Sequence, residues 1–219
     1  MGLYPQHLGD TGAGSSVFFC GFCSPDSFGA NAYFVRRPDG NLLVDSPRFT
    51  RGLVKSIGAR GGLAHVLLTH RDDVADADRW AAEFSARVWI HDDDRGAAPF
   101  ATDLVRGRDP APIAPGVTVI PTPGHTRGSV VFLVDDEALF TGDSLYYSRT
   151  LGRLSAFADV CWYSWREQTA SIERLAGHRF SWVLAGHGDR HRGDAAAMHE
   201  QIVELARRMR ERPRDEGDW

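Results

Sequence analysis

Residues 117–134 read VTVIPTPGHTRGSVVFLV. Two apolar runs, Val117–Ile120 and Ser129–Val134, have the β-branched content of strands, and the Pro- and Gly-rich stretch between them is a loop. That loop holds His125. Set between Gly124 and Thr126, this histidine gains little from core packing, so its presence calls for another explanation. Loops at strand ends are where a rigid sheet can aim a side chain at one point.

The same arrangement recurs on either side. The apolar run His65-Val66-Leu67-Leu68 ends in Thr69-His70-Arg71-Asp72-Asp73. The strand Ala138–Phe140, reached from Ser129–Val134 through Asp135-Asp136, ends in Thr141-Gly142-Asp143, and Trp182–Leu184 runs into Ala185-Gly186-His187-Gly188. Imidazole and carboxylate are ligands that suit zinc, iron or manganese, and glycines beside His125, Asp143 and His187 let backbone approach closely. Each signal alone is weak, since a histidine at a strand end is commonly a satisfied polar residue and Gly-Asp an ordinary turn. Four such strand ends together are compatible with a cluster, and order and spacing decide whether it is read as one.

The remaining elements fix the fold class. Val17–Phe22, Ala32–Val35 and Asn41–Asp45 read as strands, the last two joined by the turn Arg37-Pro38-Asp39-Gly40. Helices are expected over Phe49–Ala59, Asp76–Ser85 with Trp80 and Phe84 on one face, Trp165–Ala176 and Asp194–Arg210, and a further strand over Arg87–Ile90. Meandering strands and crossover helices are mixed in both halves. This predicts an α/β protein of the α+β type, two sheets packed face to face with helices outside, a four-layer αββα sandwich. With 219 residues the chain is expected to form a single domain over 1–219, with 211–219 a polar, frayed tail.

Composition narrows the function classes. Hydrophobic content of 42% with 25% charged residues is globular. No apolar run reaches the ~20 residues of a membrane helix, and MGLYPQHLGDTG lacks the pattern of a signal peptide, so the reading is cytoplasmic with no membrane partner. A net charge of −4 with scattered basic residues argues against nucleic acid. Cys20, Cys23 and Cys161 cannot form a paired framework and read as reduced thiols. Cys20-Gly-Phe-Cys23 has CxxC spacing, but it follows a strand and has no second pair, so its cysteines read as small residues packed at a strand end.

Order and spacing then carry a resemblance. Thr69-His70, Pro123-Gly124-His125-Thr126-Arg127-Gly128-Ser129, Thr141-Gly142-Asp143 and Gly186-His187 stand with 55, 18 and 44 residues separating His70, His125, Asp143 and His187. This resembles the metallo-β-lactamase superfamily, in particular its glyoxalase II-like hydrolases, whose motifs read T-H-x-H-x-D-H, P-G-H-T-x-G-S, T-G-D and G-H. Asn41-Leu42-Leu43-Val44-Asp45-Ser46 also looks like the strand preceding that family's first motif. The resemblance implies that His70 and His125 are ligands of a first metal, that Asp143 bridges two metals, and that His187 belongs to the second. The first motif departs from the pattern. Without a gap, Asp72 stands where the second histidine belongs, Val74 where the aspartate belongs and Ala75 where the last histidine belongs. With a two-residue insertion Asp76 becomes the motif aspartate and Ala77 replaces the histidine. Asp72 and Asp76 are therefore expected as ligands, with Asp73 a further candidate, against a role in helix capping and first-turn charge.

The function this implies is hydrolysis of a small ester, thioester or related bond, with a small-molecule substrate and one or two divalent ions, zinc first and iron or manganese as alternatives. Asp143 would hold metal and water, and Asp72 or Asp73 would take the proton. Two rivals stand beside it: an iron-dependent thiol or persulfide oxidoreductase of the same superfamily, and a degenerate member that binds metal weakly and serves in binding or structure. Of the other polar and aromatic residues, His65 reads as core or lining, and Asp92-Asp93-Asp94 after His91 as a solvated turn. His7, His178, His191 and His199 are given no chemistry, with His191 near the pocket. Trp162 and Trp165 are expected in the core, and Tyr146 or Tyr147 on a pocket wall.

Overall fold

The structure, a computed structural model, describes residues 4–23 and 28–211. Two compact units, Met1–Arg106 and Gly107–Trp219, follow each other along the chain. Among the described residues no helix is long and apolar enough to cross a membrane.

The first unit contains strands β1 (Gln6–Asp10), β2 (Ser16–Phe22), β3 (Asn31–Arg36), β4 (Leu42–Val44), β5 (His65–Leu67), β6 (Arg87–His91) and β7 (Asp103–Val105), with helices α1 (Arg51–Gly58) and α2 (Ala77–Phe84). They form one sheet in chain order, β1 to β7. The first four strands are joined by short connections and pair antiparallel, whereas β4 through β7 pair parallel. The change follows from the connections, because a parallel neighbour can be reached only by a crossover. Helix α1 makes that crossover from β4 to β5, and α2 from β5 to β6. Thr50 starts α1 by accepting the Leu53 N–H on its side chain, and Ser85 ends α2 in the left-handed conformation at φ 53°.

One sheet face of this unit, with Phe18, Phe34, Leu43, Val66 and Val88, is covered by Leu53 and Ile57 of α1 and Trp80 of α2. Trp80 is wholly buried and its indole N–H donates to Pro47 O at 2.8 Å. A buried Trp keeps its polar atom satisfied in this way.

The second unit contains β8 (Ala111–Ala114), β9 (Val117–Pro121), β10 (Val130–Val134), β11 (Ala138–Gly142), β12 (Tyr146–Ser148), β13 (Arg153–Ser155), α3 (Trp165–Leu175), β14 (Trp182–Ala185), β15 (His191–Arg192) and α4 (Ala195–Glu211). Its main sheet runs β15-β14-β11-β10-β9-β8, and β12 and β13 form a separate hairpin. Strands β11 and β14 pair parallel, with α3 as the crossover. The β10–β11 turn puts both Asp135 and Asp136 at positive φ, 58° and 50°, which aspartate tolerates better than most residues. Ile120, Val131, Leu139 and Val183 of this sheet pack with Ile172 of α3 and Ile202 of α4.

Every strand and helix expected from the sequence is present within a few residues. The helix expected over Asp194–Arg210 runs Ala195–Glu211, and the remainder of the tail lies outside the described residues. The sequence reading missed β1, β7, β8, β12, β13 and β15, which are short and largely half-buried or exposed, so they lack the apolar pattern on which such a reading rests.

Trp80→Ala is expected to cost about 3–5 kcal/mol of stability, as for other buried aromatic truncations, and Trp80→Phe clearly less. Urea unfolding followed by circular dichroism measures both. A loss below about 1 kcal/mol for the alanine variant would show that Trp80 is not the anchor of α2.

Candidate metal centre

Within the first unit the polar residues gather where β4 and β5 end. Asp45, one residue past β4, has φ 55° and donates its N–H to Leu67 O at 2.9 Å. Its carboxylate Oδ1 accepts the Thr69 N–H at 2.9 Å and lies 3.0 Å from the Thr69 hydroxyl. A carboxylate can only accept, so the Thr69 hydroxyl proton goes to Asp45. The Thr69 oxygen, 2.9 Å from His70 Nδ1, is then left to accept, and the His70 ring proton sits on Nδ1. This leaves Nε2 with its lone pair, the form in which an imidazole binds a cation.

Buried His70 precedes a 3-10 turn, Arg71–Asp73, and its Nε2 lies 3.8 Å from Asp72 Oδ2 and 3.7 Å from Asp73 Oδ2. Asp73 is wholly buried, while the Asp72 side chain is 29% exposed. The Asp76 oxygens are engaged elsewhere: Oδ2 accepts the Phe49 N–H at 2.8 Å, and Oδ1 lies 3.4 Å from Arg79. The geometry thus favours Asp73 over Asp76 as the carboxylate beside His70. Ala77, where the gapped alignment expects a histidine, is fully buried in the core of this unit.

The acidic run after His91 is the solvated turn expected at Asp92 and Asp93 but not at Asp94. Asp94 is buried, and its Oδ2 accepts the Arg71 N–H at 3.1 Å, tying down the turn that carries Asp72 and Asp73. His91 Nδ1 accepts the Asp93 N–H at 3.2 Å. His65 Nδ1 accepts the Trp89 indole N–H at 3.1 Å, and burial lowers its pKa.

In the second unit His125, Asp143 and His187 come together. His125 Nδ1 lies 2.6 Å from Val160 O, which can only accept, so the ring proton is on Nδ1 here too. Its Nε2 is 3.7 Å from Asp143 Oδ2. His187 Nδ1 lies 2.9 and 3.0 Å from the two Asp143 oxygens. Two glycines make this packing possible. A Cβ at Gly186 would sit 2.9 Å from Asp143 Oδ1, and one at Gly124 would sit 2.1 to 2.7 Å from the Cβ, Cα and N of Gln168 in α3. The loop is bound to the start of α3 as well: Gly124 O accepts the Ser164 N–H at 3.0 Å, and His125 O accepts the Trp162 N–H at 2.9 Å.

Trp165 is buried, with its indole N–H on Met209 O at 3.2 Å. Trp162, expected in the core, is instead 45% exposed and stands 6.3 Å from the His125 ring. Its backbone N–H is donated to His125 O, while its side chain stays exposed. Tyr146 stacks on Phe157 at 4.0 Å and lines a cavity of about 400 Å³; Tyr147 stacks on His191 at 3.9 Å. Burial raises the Tyr146 phenol pKa, with Asp189 adding to it, and lowers that of His191. Cys20, Cys23 and Cys161 are buried thiols outside any disulfide.

His70, Asp72, Asp73, His125 and Asp143 belong to His/Asp groups of a kind that can hold a metal ion. The residues that sequence reasoning missed are those behind the histidines: Asp45, Thr69 in its hydroxyl role, Asp94 and the Val160 carbonyl. A main-chain oxygen has no signature in sequence, whereas Asp45 could have been suspected as an acid ending a buried strand.

Residues 18–205 match the family model described as "Metallo-beta-lactamase superfamily". A hydroxyacylglutathione hydrolase of Acidiphilium cryptum is 30% identical over 192 residues, covering 80% of this chain and 75% of that protein. The metallo-β-lactamase FIM-1 from Pseudomonas aeruginosa, solved in a mono-zinc form, is 14% identical with TM-score 0.65, covering 93% of this chain and 96% of that one. TTHA1623, solved in a di-iron-bound form, is 24% identical with TM-score 0.58, covering 83% and 96% respectively. The two structures show likeness of fold.

Gly124→Ala is expected to destabilise the protein by about 3 kcal/mol or more, at the upper end for overpacking. Gln168→Ala should not rescue it, because the clash includes the Cα and N of Gln168 as well as its Cβ. Full rescue in urea unfolding of the double variant would show that the contact is not as tight as described.

Proposed function

The chain belongs to the metallo-β-lactamase superfamily, and from that premise we propose that it is a metal-dependent hydrolase of a small ester, thioester or related bond. The observation that carries this reading is the fixed tautomer of two histidines. His70 and His125 each spend Nδ1–H on an acceptor, and each has Nε2 about one ligand gap, 3.7 Å, from a carboxylate of its own unit. Metal-binding histidines are held in this way by a partner on the other ring nitrogen. The donor set, imidazoles and buried carboxylates, fits a divalent first-row ion.

We assign His70 and Asp73 of the first unit, and His125, Asp143 and His187 of the second, to metal binding. A bound ion of this kind lowers the pKa of coordinated water toward ~7 and polarises a substrate carbonyl. The chain's own residues divide the remaining work. Thr69 and the Val160 carbonyl fix the orientation of the two imidazoles. Asp72, the more exposed of the two acids beside His70, is the one able to take a proton and pass it to solvent, whereas wholly buried Asp73 serves better as a fixed charge. The ester or thioester class is supported by the relative named hydroxyacylglutathione hydrolase.

A second reading is favoured by the acids that replace histidines in the first motif. Two histidines and a carboxylate suit iron, and TTHA1623 was solved with two irons, so iron-dependent oxidation of a thiol or persulfide is the alternative. Metal analysis of protein purified without chelator separates them: zinc or manganese supports the hydrolase, iron the oxidoreductase, and no metal would overturn both.

His125→Ala is expected to stay folded but to lose metal and activity on ester and thioester panels, with at least about 10–100-fold weaker metal binding. Thr69→Val should weaken metal binding about tenfold or more while leaving the circular dichroism spectrum unchanged. Retention of full metal content by His125→Ala would remove His125 from the ligand set and the proposal with it.

A further inference from the structure

Wholly within the first unit, a cavity of about 960 Å³ opens between the end of β2 and α1. Its walls are of two kinds. Tyr4, Cys20, Phe22 and Leu53 make an apolar side, while Arg48 and Arg60 bring two guanidinium groups, with Thr50 and Ser56 beside them. Among the described lining residues there is no acid. The volume is at the upper end of the range for small-molecule sites, which combine apolar walls with a few placed polar groups.

The charges carry the argument. Arg60 is half-buried, and its Nη1 donates to both Ser56 O and Ser56 Oγ at 2.7 Å, with its guanidinium 5.5 Å from the Phe18 ring centre. It is held in place by neutral groups, and among the described residues it has no carboxylate partner. Arg48, an exposed side chain, has no side-chain ion pair among them either, so the cost of burial falls on Arg60. Buried or half-buried arginine is ordinarily matched by an anion, because removing its hydration is costly. The Cys20 thiol contributes shape and not reactivity here: burial pushes its pKa far up, so it stays protonated and behaves as a small apolar group. Phe22, 54% exposed, offers apolar surface at the mouth.

We infer that this cavity is a binding site for an organic monoanion with an apolar body, a carboxylate at the end of an alkyl chain being the simplest case. The carboxylate pairs with Arg60 and Arg48, the fork of a guanidinium matching its two oxygens, and the chain lies along Leu53, Cys20 and Tyr4. Nothing in this inference depends on the metal centre.

The test is calorimetric titration of the full chain with sodium octanoate, octan-1-ol and sodium acetate. Octanoate should bind one to one, and both the uncharged alcohol and the tail-less acetate at least about tenfold more weakly. Arg60→Gln and Arg48→Gln should each weaken octanoate about tenfold. Gly52→Trp should abolish binding by filling the cavity; Gly52 lies on its wall and a Cβ there meets nothing within 4 Å, so this variant keeps the test valid if Arg60→Gln fails to fold. Octanoate binding should persist in His125→Ala. Loss of binding in His125→Ala would assign the carboxylate to the metal centre and overturn the inference, as would absence of binding or its survival in Gly52→Trp.

Discussion

A histidine can present a lone pair in a chosen direction only if its other nitrogen is tied down, and this protein places that tie at the strand ends. In the first unit Asp45 holds Thr69 and Thr69 holds His70; in the second, the Val160 carbonyl holds His125. Neither tie stands without the backbone around it. Asp45 accepts a left-handed φ to reach Thr69, and Gly124 lets its loop lie directly on α3 so that residues 160–164 can wrap His125. The polar chemistry is thus inherited from two backbone positions, one strained and one stripped of its side chain.

Much of this was legible in the sequence because it is written in side chains. The apolar runs of β2 to β6 and β9 to β11, the helices, the Asp135-Asp136 turn and the loop around His125 each have a composition that admits few other structures. What was not legible depends on contacts made at a distance. Asp94 reads as one of three equivalent acids, and only the fold reveals that it alone meets the Arg71 N–H. Trp162 reads as core by its size, yet its own N–H is committed to His125 O and its ring faces outward. Edge strands such as β8 and β15 are defined by a neighbour's hydrogen bonds more than by their own residues.

The departure from the family's first motif has an electrostatic meaning. In the proposed site, carboxylate in place of imidazole beside His70 would add negative charge to the donor set; Asp72 and Asp73 both lie near one Nε2, with Arg71 Nε 3.7 Å from Asp72. Like charges held this close without a cation between or near them are unfavourable in a buried setting. A cluster built from harder, more negative donors leans toward oxygen-loving ions, which is why the identity of the metal bears directly on the class of reaction.

The order of the strands also bears on how the chain is made. In the first unit each strand pairs with the one synthesised just before it, from β1 through β7. Such a sheet can be extended one edge at a time as the polypeptide leaves the ribosome, with little waiting between strands. In the second unit this holds only from β8 to β11. β11 must hold its open edge until β14 arrives, after the hairpin β12–β13 and all of α3 have been translated. An apolar strand of five buried residues with a bare edge is a place where nascent chains stick to one another. The vulnerable interval in biosynthesis therefore falls between the emergence of Ala138 and that of Trp182, and slow decoding across that stretch would lengthen it.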